Sequence, residues 1–172
     1  LPECRILWQI PFQGTRLEMD TQEVTVTSRS VEDAKGLALV PGLCRVAASE
    51  CRDYDGLETL TALRPDCTVD YRVELGGKRW KPDARALELP EAEIEELRRN
   101  LPHLPMVETI LLKTAYPDPE AVRFLREAFP QIGLYYALPD RDVPLDTGTT
   151  ILPLNGCPHS RELADKLVKC YP

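Results

Sequence analysis

Several features that mark large protein classes are missing from this sequence. No apolar run approaches the roughly 20 residues of a bilayer-spanning helix, and no basic segment followed by an apolar one marks a secretory leader. Neither a membrane span nor a targeting segment is expected, and without an initiator Met the chain reads as processed or cut from something longer. Histidine is scarce: His103 and His159 are the two neutral-pH bases. No Ser, Cys or acid can be placed beside either, so acid–base or nucleophilic catalysis has little to work with, and the chain is expected not to be an enzyme. Gly76-Gly77 lacks the further glycines and the lysine of a phosphate loop. Six cysteines in 172 residues fall well below the roughly 8–10% of a short disulfide scaffold and do not fix the compartment. Basic residues are outnumbered 21 to 28 by acidic ones, a formal charge of -7. That balance argues against a nucleic-acid backbone or an anionic membrane surface as the main partner.

What is present is a globular composition, 43% apolar and 28% charged, over a length that can bury one sizeable core. The chain also repeats itself. In Ala84–Ile94, residues Ala84, Leu87, Leu89, Ala92 and Ile94 mark a short strand turning into a helix. The same frame recurs at Thr21-Val24-Val26-Arg29-Val31, Leu43-Val46-Ala48-Cys51-Asp53, Val107-Ile110-Leu112-Ala115-Pro117 and Leu152-Leu154-Cys157-His159. A longer period of about 64 residues overlays Pro2–Trp8 on Pro65–Tyr71 and then on Pro130–Tyr136. One repeat domain over 1–172 is expected, with long repeats at about 1–64 and 65–129 and a partial third at 130–172.

Eight strand anchors follow, at Ile6, Val24, Val46, Val69, Leu87, Ile110, Leu134 and Leu152, separated by 18 to 24 residues. One strand with its returning segment cannot bury an apolar face alone, whereas stacked copies build a continuous core. Alternation in Val24-Thr25-Val26-Thr27 and in Val69–Glu74 sends every second side chain inward and leaves the others on a continuous outer face. Helices are expected over Ser30–Leu39, with Ser30 as N-cap, over Glu91–Leu101, over Asp55–Leu63, over Asp118–Ala128, with Asp118 as N-cap and Pro119 first, and over His159–Lys169. The 18-residue spacings carry no helix and read as a longer strand followed by a hairpin-like or looped return through Gly14 or Gly76-Gly77. Of the 16 prolines, Pro2, Pro41, Pro65, Pro105, Pro130 and Pro172 stand at helix ends just before strands, where a missing amide donor costs least.

The helix end Leu101-Pro102-His103-Leu104-Pro105, with Ala128-Phe129-Pro130 and Asp66-Cys67-Thr68-Val69-Asp70-Tyr71, resembles leucine-rich repeat proteins, in particular a divergent type among bacterial (Firmicutes) surface proteins. The resemblance covers nearly the whole chain. It implies an α/β fold in the form of a curved parallel-strand solenoid with short helices on its outer side, used for non-catalytic recognition of a protein or glycan, with extracellular or cell-surface placement. The alternative is a structural spacer or assembly segment of a larger surface protein. The ninth position of such repeats is usually Asn or Cys, and here Arg29, Cys51, Ala92, Ala115 and Cys157 occupy it. A regular asparagine ladder is therefore absent.

The candidate ligand-binding residues lie on the outward strand positions: Asp70, Arg72, Glu88, Leu111, Lys113 and Tyr135. Arg72, Leu111 and Tyr135 are the expected energetic contributors, since aromatic residues and Arg dominate interface hot spots. Cys44 and Cys67 each precede a strand anchor by two residues. Across a parallel pair they would lie roughly 4.8 Å apart, within disulfide range, so a bridge or two free thiols are the alternatives. Cys157, His159 and Cys170 offer three donors at irregular spacing; no metal site and no cofactor is assigned. The chain opens on a strand and stops at Pro172, where the pattern calls for another. That predicts neighbouring domains, further repeats or end-to-end self-association.

Overall fold

Two sequence devices set the local structure. The first is an aspartate three residues ahead of a glycine. Asp33 caps α1 (Ala34–Ala38), its carboxylate accepting from the Gly36 amide at 2.6 Å, and Asp53 caps α2 (Tyr54–Leu63), accepting from the Gly56 amide at 3.0 Å. This satisfies one of the amides that a helix start leaves unpaired. Glycine is needed there because a Cβ on Gly56 would stand 2.6 Å from Asp53 Oδ2.

The second device is a two-residue return in left-handed backbone. β1 (Ile10–Phe12) and β2 (Thr15–Leu17) pair antiparallel around Gln13 (φ 45°) and Gly14 (φ 75°). β6 (Val73–Leu75) and β7 (Lys78–Trp80) pair around Gly76 (φ 62°) and Gly77 (φ 69°). Two consecutive positive φ values match the twist of the flanking strands. Gln13 has a side chain to accommodate in that region, and its amide group ties the turn down: Oε1 accepts from the Thr27 amide at 3.1 Å and Nε2 donates to Ser28 Oγ at 2.7 Å.

The computed structural model describes residues 9–31, 33–90, 93–113, 118–136 and 145–146. The chain divides into two compact units, residues 1–73 and 74–172. In the first, β3 (Glu23–Thr25), β4 (Arg45–Ala48) and β5 (Thr68–Tyr71) form a parallel sheet with Val24, Val46 and Val69 in register. In the second, β8 (Ala86–Leu89), β9 (Thr109–Leu112) and β10 (Gly133–Tyr136) do the same with Leu87, Ile110 and Leu134, and β11 (Leu145–Asp146) adds antiparallel to β10. The returning helices of this unit are α3 (Ile94–Asn100), continued by the 3-10 turn Leu101–His103, and α4 (Pro119–Ala128).

Among the described residues the strands thus lie in four separate sheets of two, three, two and four strands, which overturns the expectation of one curved parallel-strand solenoid. The break falls at β6 and β7. These strands pair with each other across Gly76-Gly77 and form a sheet of their own, so β5 and β8 belong to different sheets.

Each unit has its own core. Val24, Val46, Ala48, Leu37, Leu43, Leu57 and Leu60 are buried in the first, and Leu87, Leu89, Ile110, Leu97, Leu101, Val122 and Leu125 in the second. Full burial of such a side chain contributes roughly 1.5–3 kcal/mol before the entropy of ordering is subtracted.

The helix starts show where side chains override pattern. Ser30 was expected to cap a helix reaching Leu39, but α1 begins at Ala34. The Ser30 hydroxyl lies 3.3 Å from Asp53 Oδ2, and the Val31 amide donates to the same oxygen at 3.1 Å. These bonds draw the chain before α1 toward the next helix's cap. α2 starts at Tyr54, one residue earlier than expected, for the same reason: Asp53 is its cap. The expected helix over Glu91–Leu101 is found as Ile94–Asn100. α4 matches its expected bounds, with Pro119 first and the Asp118 carboxylate accepting from the Glu120 amide at 3.0 Å. The expected helix at His159–Lys169 and the anchors at Ile6 and Leu152 lie outside the described residues.

Arg64, at the C-cap of α2, ties the end of that helix to the segment between α1 and β4. Its Nη1 donates to Val40 O at 2.6 Å and its Nη2 to Leu43 O at 2.8 Å. Nε and Nη2 also hold Asp66 at 2.9 and 2.8 Å. The planar fork reaches both carbonyls from one side chain.

Tyr71, 7% exposed, stacks against Tyr54 with ring centroids 6.3 Å apart. Burial first, then the charge of Glu58, pushes its hydroxyl up to about 12. Because the folded value is raised, this group's contribution to stability is complete below about pH 10 and is lost as pH rises through about 12. In an alkaline titration followed by ultraviolet absorbance, Tyr71 should ionise near pH 12 and together with loss of first-unit structure. In Tyr71→Phe the late component should vanish; its persistence would refute the assignment.

Candidate functional site

Register decides which outward side chains meet. On the first unit's sheet, Glu23, Arg45 and Thr68 form one row, and Thr25, Ala47 and Asp70 the next. Arg45 Nη1 lies 3.4 Å from Glu23 Oε1, and its Nη2 lies 3.9 Å from Asp70 Oδ2. Arg72 Nη1 donates to Asp70 Oδ1 at 2.9 Å and to Tyr71 O at 3.1 Å. Opposite charges alternate across the strands. Asp70 and Arg72, both expected to bind ligand, are therefore paired with each other, and Asp70 also with Arg45. Ion pairs this exposed contribute at most about 1 kcal/mol each.

On the second unit's sheet, Ala86, Thr109 and Gly133 form one row, and Glu88, Leu111 and Tyr135 the next. Lys113, just beyond β9, continues the ladder by donating its amide to Leu89 O at 2.8 Å, and its Nζ lies 2.8 Å from Glu88 Oε2. The bond from Lys113 and its charge, and more weakly the charge of Lys78, hold the Glu88 carboxyl below its usual range. Four of the six expected binding residues are thus brought together on one face: Glu88, Leu111, Lys113 and Tyr135.

Leu111 and Tyr135 are half-buried neighbours across the parallel pair. The Tyr135 ring lies back along β10 over Gly133: a Cβ on that glycine would meet ring atom Cε2 at 3.1 Å. Ring and leucine make an apolar centre, and the closed Glu88–Lys113 pair stands at its margin.

Three contributors were not legible in the sequence. Gly133 reads as an ordinary strand glycine until its partner ring is placed. Lys78 and Trp80 follow the Gly76-Gly77 return, which was expected to be hairpin-like or looped but with no role for either side chain. Lys78 Nζ stands 5.6 Å from the Trp80 ring centroid, within cation–π range, and the Trp80 indole donates to Leu75 O at 3.0 Å. A hairpin was the available signal: residues just past a two-glycine turn pair back on their own strand, which brings Lys78 within electrostatic reach of Glu88.

Cys51, at the ninth position of its frame, is 1% exposed, and its Sγ lies 3.5 Å from Arg29 O. Burial pushes its thiol up, outweighing the backbone hydrogen bonds at Asp53 and Arg52. It packs as a small interior group. Cys44, Cys51 and Cys67 are free thiols. His103 closes the 3-10 turn Leu101–His103, whereas Cys157, His159 and Cys170 lie outside the described residues. Among the described residues no helix is long and apolar enough to cross a membrane. No family model, characterised protein or solved structure matches the chain.

Proposed function

We propose that the chain is a non-catalytic recognition protein that binds a partner protein through the outer face of β8, β9 and β10, with a glycan as the other class of ligand. The observation that carries this reading is the row Glu88–Leu111–Tyr135 with Lys113 closing on Glu88. An apolar and aromatic centre with a polar margin is the usual anatomy of a contact surface, and a tyrosine resting on its own strand loses little rotamer freedom on binding. The resemblance to leucine-rich repeat surface proteins supports the same use and extracellular or cell-surface placement. A spacer role is the second reading. It is favoured by the first unit's face, where Glu23, Arg45, Asp70 and Arg72 satisfy one another.

Affinity capture with the chain as bait separates the two. Leu111→Asp with Tyr135→Ala should abolish capture of a reproducible partner, whereas Asp70→Arg with Arg72→Glu should leave it within about twofold. Unchanged capture by the Leu111/Tyr135 variant, or no reproducible capture by the wild type, would leave the spacer role as the better account.

A further inference from the structure

The parallel register of β4 and β5 sets Arg45 against Thr68 and Val46 against Val69. One step earlier on both strands stand Cys44 and Cys67. The Thr68 amide donates to Cys44 O at 2.9 Å, so the ladder already holds at this step. Each cysteine stands one residue ahead of its strand, Cys44 before Arg45 of β4 and Cys67 before Thr68 of β5. Directly opposed residues on neighbouring strands lie about 4.8 Å apart, inside the Cα range of a disulfide.

The two thiols differ in access. Cys44 is exposed and Cys67 is 5% exposed. The Cys44 thiol donates to Gln22 O at 3.2 Å, a weak bond to the residue preceding β3, on the opposite side from β5. Rotation about its Cα–Cβ bond releases that contact and swings the sulfur toward Cys67. The surroundings of Cys67 agree with this placement. Burial pushes its thiol up, the Arg64 guanidinium pulls it down, and Asp66 and Cys44 itself push it up. A Coulombic influence of one cysteine on the other requires the two to be near.

We propose that Cys44 and Cys67 are a redox modification site, closed to a disulfide by exchange with a small oxidised disulfide of the glutathione type. The Cys44 thiolate attacks one sulfur of oxidised glutathione, forming a mixed disulfide and expelling one glutathione thiolate. Cys67 then loses its proton to solvent and attacks the Cys44 sulfur, forming the Cys44–Cys67 bond and expelling the second glutathione. Two cysteine thiols are oxidised by two electrons in all, and one glutathione disulfide is reduced to two thiols. Exposure fixes the order, because the oxidant reaches Cys44 and not Cys67. The bridge staples β4 to β5 one residue ahead of their first residues and frees Gln22 O from the Cys44 thiol.

The test equilibrates the full chain with glutathione buffers of rising oxidised fraction, alkylates the remaining thiols and digests with trypsin. Cys44 falls in the peptide Gly36–Arg45 and Cys67 in Asp53–Arg72, separate from Cys51 in Val46–Arg52. The expected product is the first two peptides joined, two hydrogens lighter than their sum and separated again by reductant. In Cys67→Ser the glutathione should stay on Cys44. In Cys44→Ser the loss of the Cys67 thiol should slow by at least tenfold. A wild-type chain that keeps glutathione on Cys44 without resolving it, that pairs Cys44 with another cysteine, or that leaves Cys67 fully alkylated at every ratio overturns the proposal.

Discussion

Asp53→Ala should destabilise the first unit by about 2–4 kcal/mol, more than its half-exposed position in a turn suggests. One carboxylate serves three donors: the Gly56 amide of its own helix, and the Val31 amide and Ser30 hydroxyl from the turn one strand earlier. Loss of a helix cap alone costs roughly 0.5–2 kcal/mol. Leaving the Val31 amide without an acceptor beside a side chain 6% exposed adds roughly 1–3 kcal/mol. Hydrogen exchange reads both parts separately, because the amides of Val31 and Leu57 report the turn and the helix. Gly56→Ala should act in the same direction. A methyl group there displaces the carboxylate, although alanine in an ordinary helix position gains up to about 1 kcal/mol over glycine. If either variant exchanges like the wild type at both amides, Asp53 does not tie the two turns together.

Arg64→Met should cost the first unit about 2–3 kcal/mol even though the aliphatic volume is kept. The side chain is 13% exposed, and its guanidinium is what reaches the carbonyls of Val40 and Leu43. Charge-assisted bonds of this kind contribute about 1.5–3 kcal/mol each and do not add fully. Arg64→Lys should recover only part of the loss, since a point donor cannot span two carbonyls as the planar fork does. Asp66→Ala separates the clamp from the ion pair. Arg64 holds the Asp66 carboxyl below its ordinary range, yet that carboxylate is 67% exposed. Its loss should matter far less than loss of the arginine. Urea titrations of the three variants give the comparison. Equal losses for Arg64→Met and Asp66→Ala would mean that the exposed pair, not the carbonyl clamp, stabilises the segment.

Much of the strand framework was legible because it rests on alternation. Val24, Val46 and Val69, and Leu87, Ile110 and Leu134, were singled out as equivalent positions and are Cα partners in the two parallel sheets. The glycine returns were legible because left-handed backbone strongly favours glycine. The solenoid was not, because spacing along the chain reports that a strand recurs and not which neighbour it pairs with. Val73 and Leu75 continue the alternation of β5 without interruption in the sequence, yet they pair with Lys78–Trp80. The helix starts were misplaced for a related reason. Ser30 and Asp53 are both good caps in isolation, and only their proximity shows that Ser30 is taken up by Asp53. On the proposed binding face, the side chains could be named but not grouped. That grouping required knowing that Asp70 and Arg72 share the first unit's sheet while Glu88, Leu111, Lys113 and Tyr135 share the second's.

The evenness of the parallel pairings also bears on how each unit assembles. Val24 and Val46 are 22 residues apart, Val46 and Val69 are 23, Leu87 and Ile110 are 23, and Ile110 and Leu134 are 24. The entropy of closing a flexible loop grows only with the logarithm of its length, so these closures differ by about 0.1 kcal/mol. Chain connectivity therefore favours no pair as the starting point. Within each unit the first strands to dock are chosen by side-chain contacts and caps, and each later strand closes a loop no more demanding than the first.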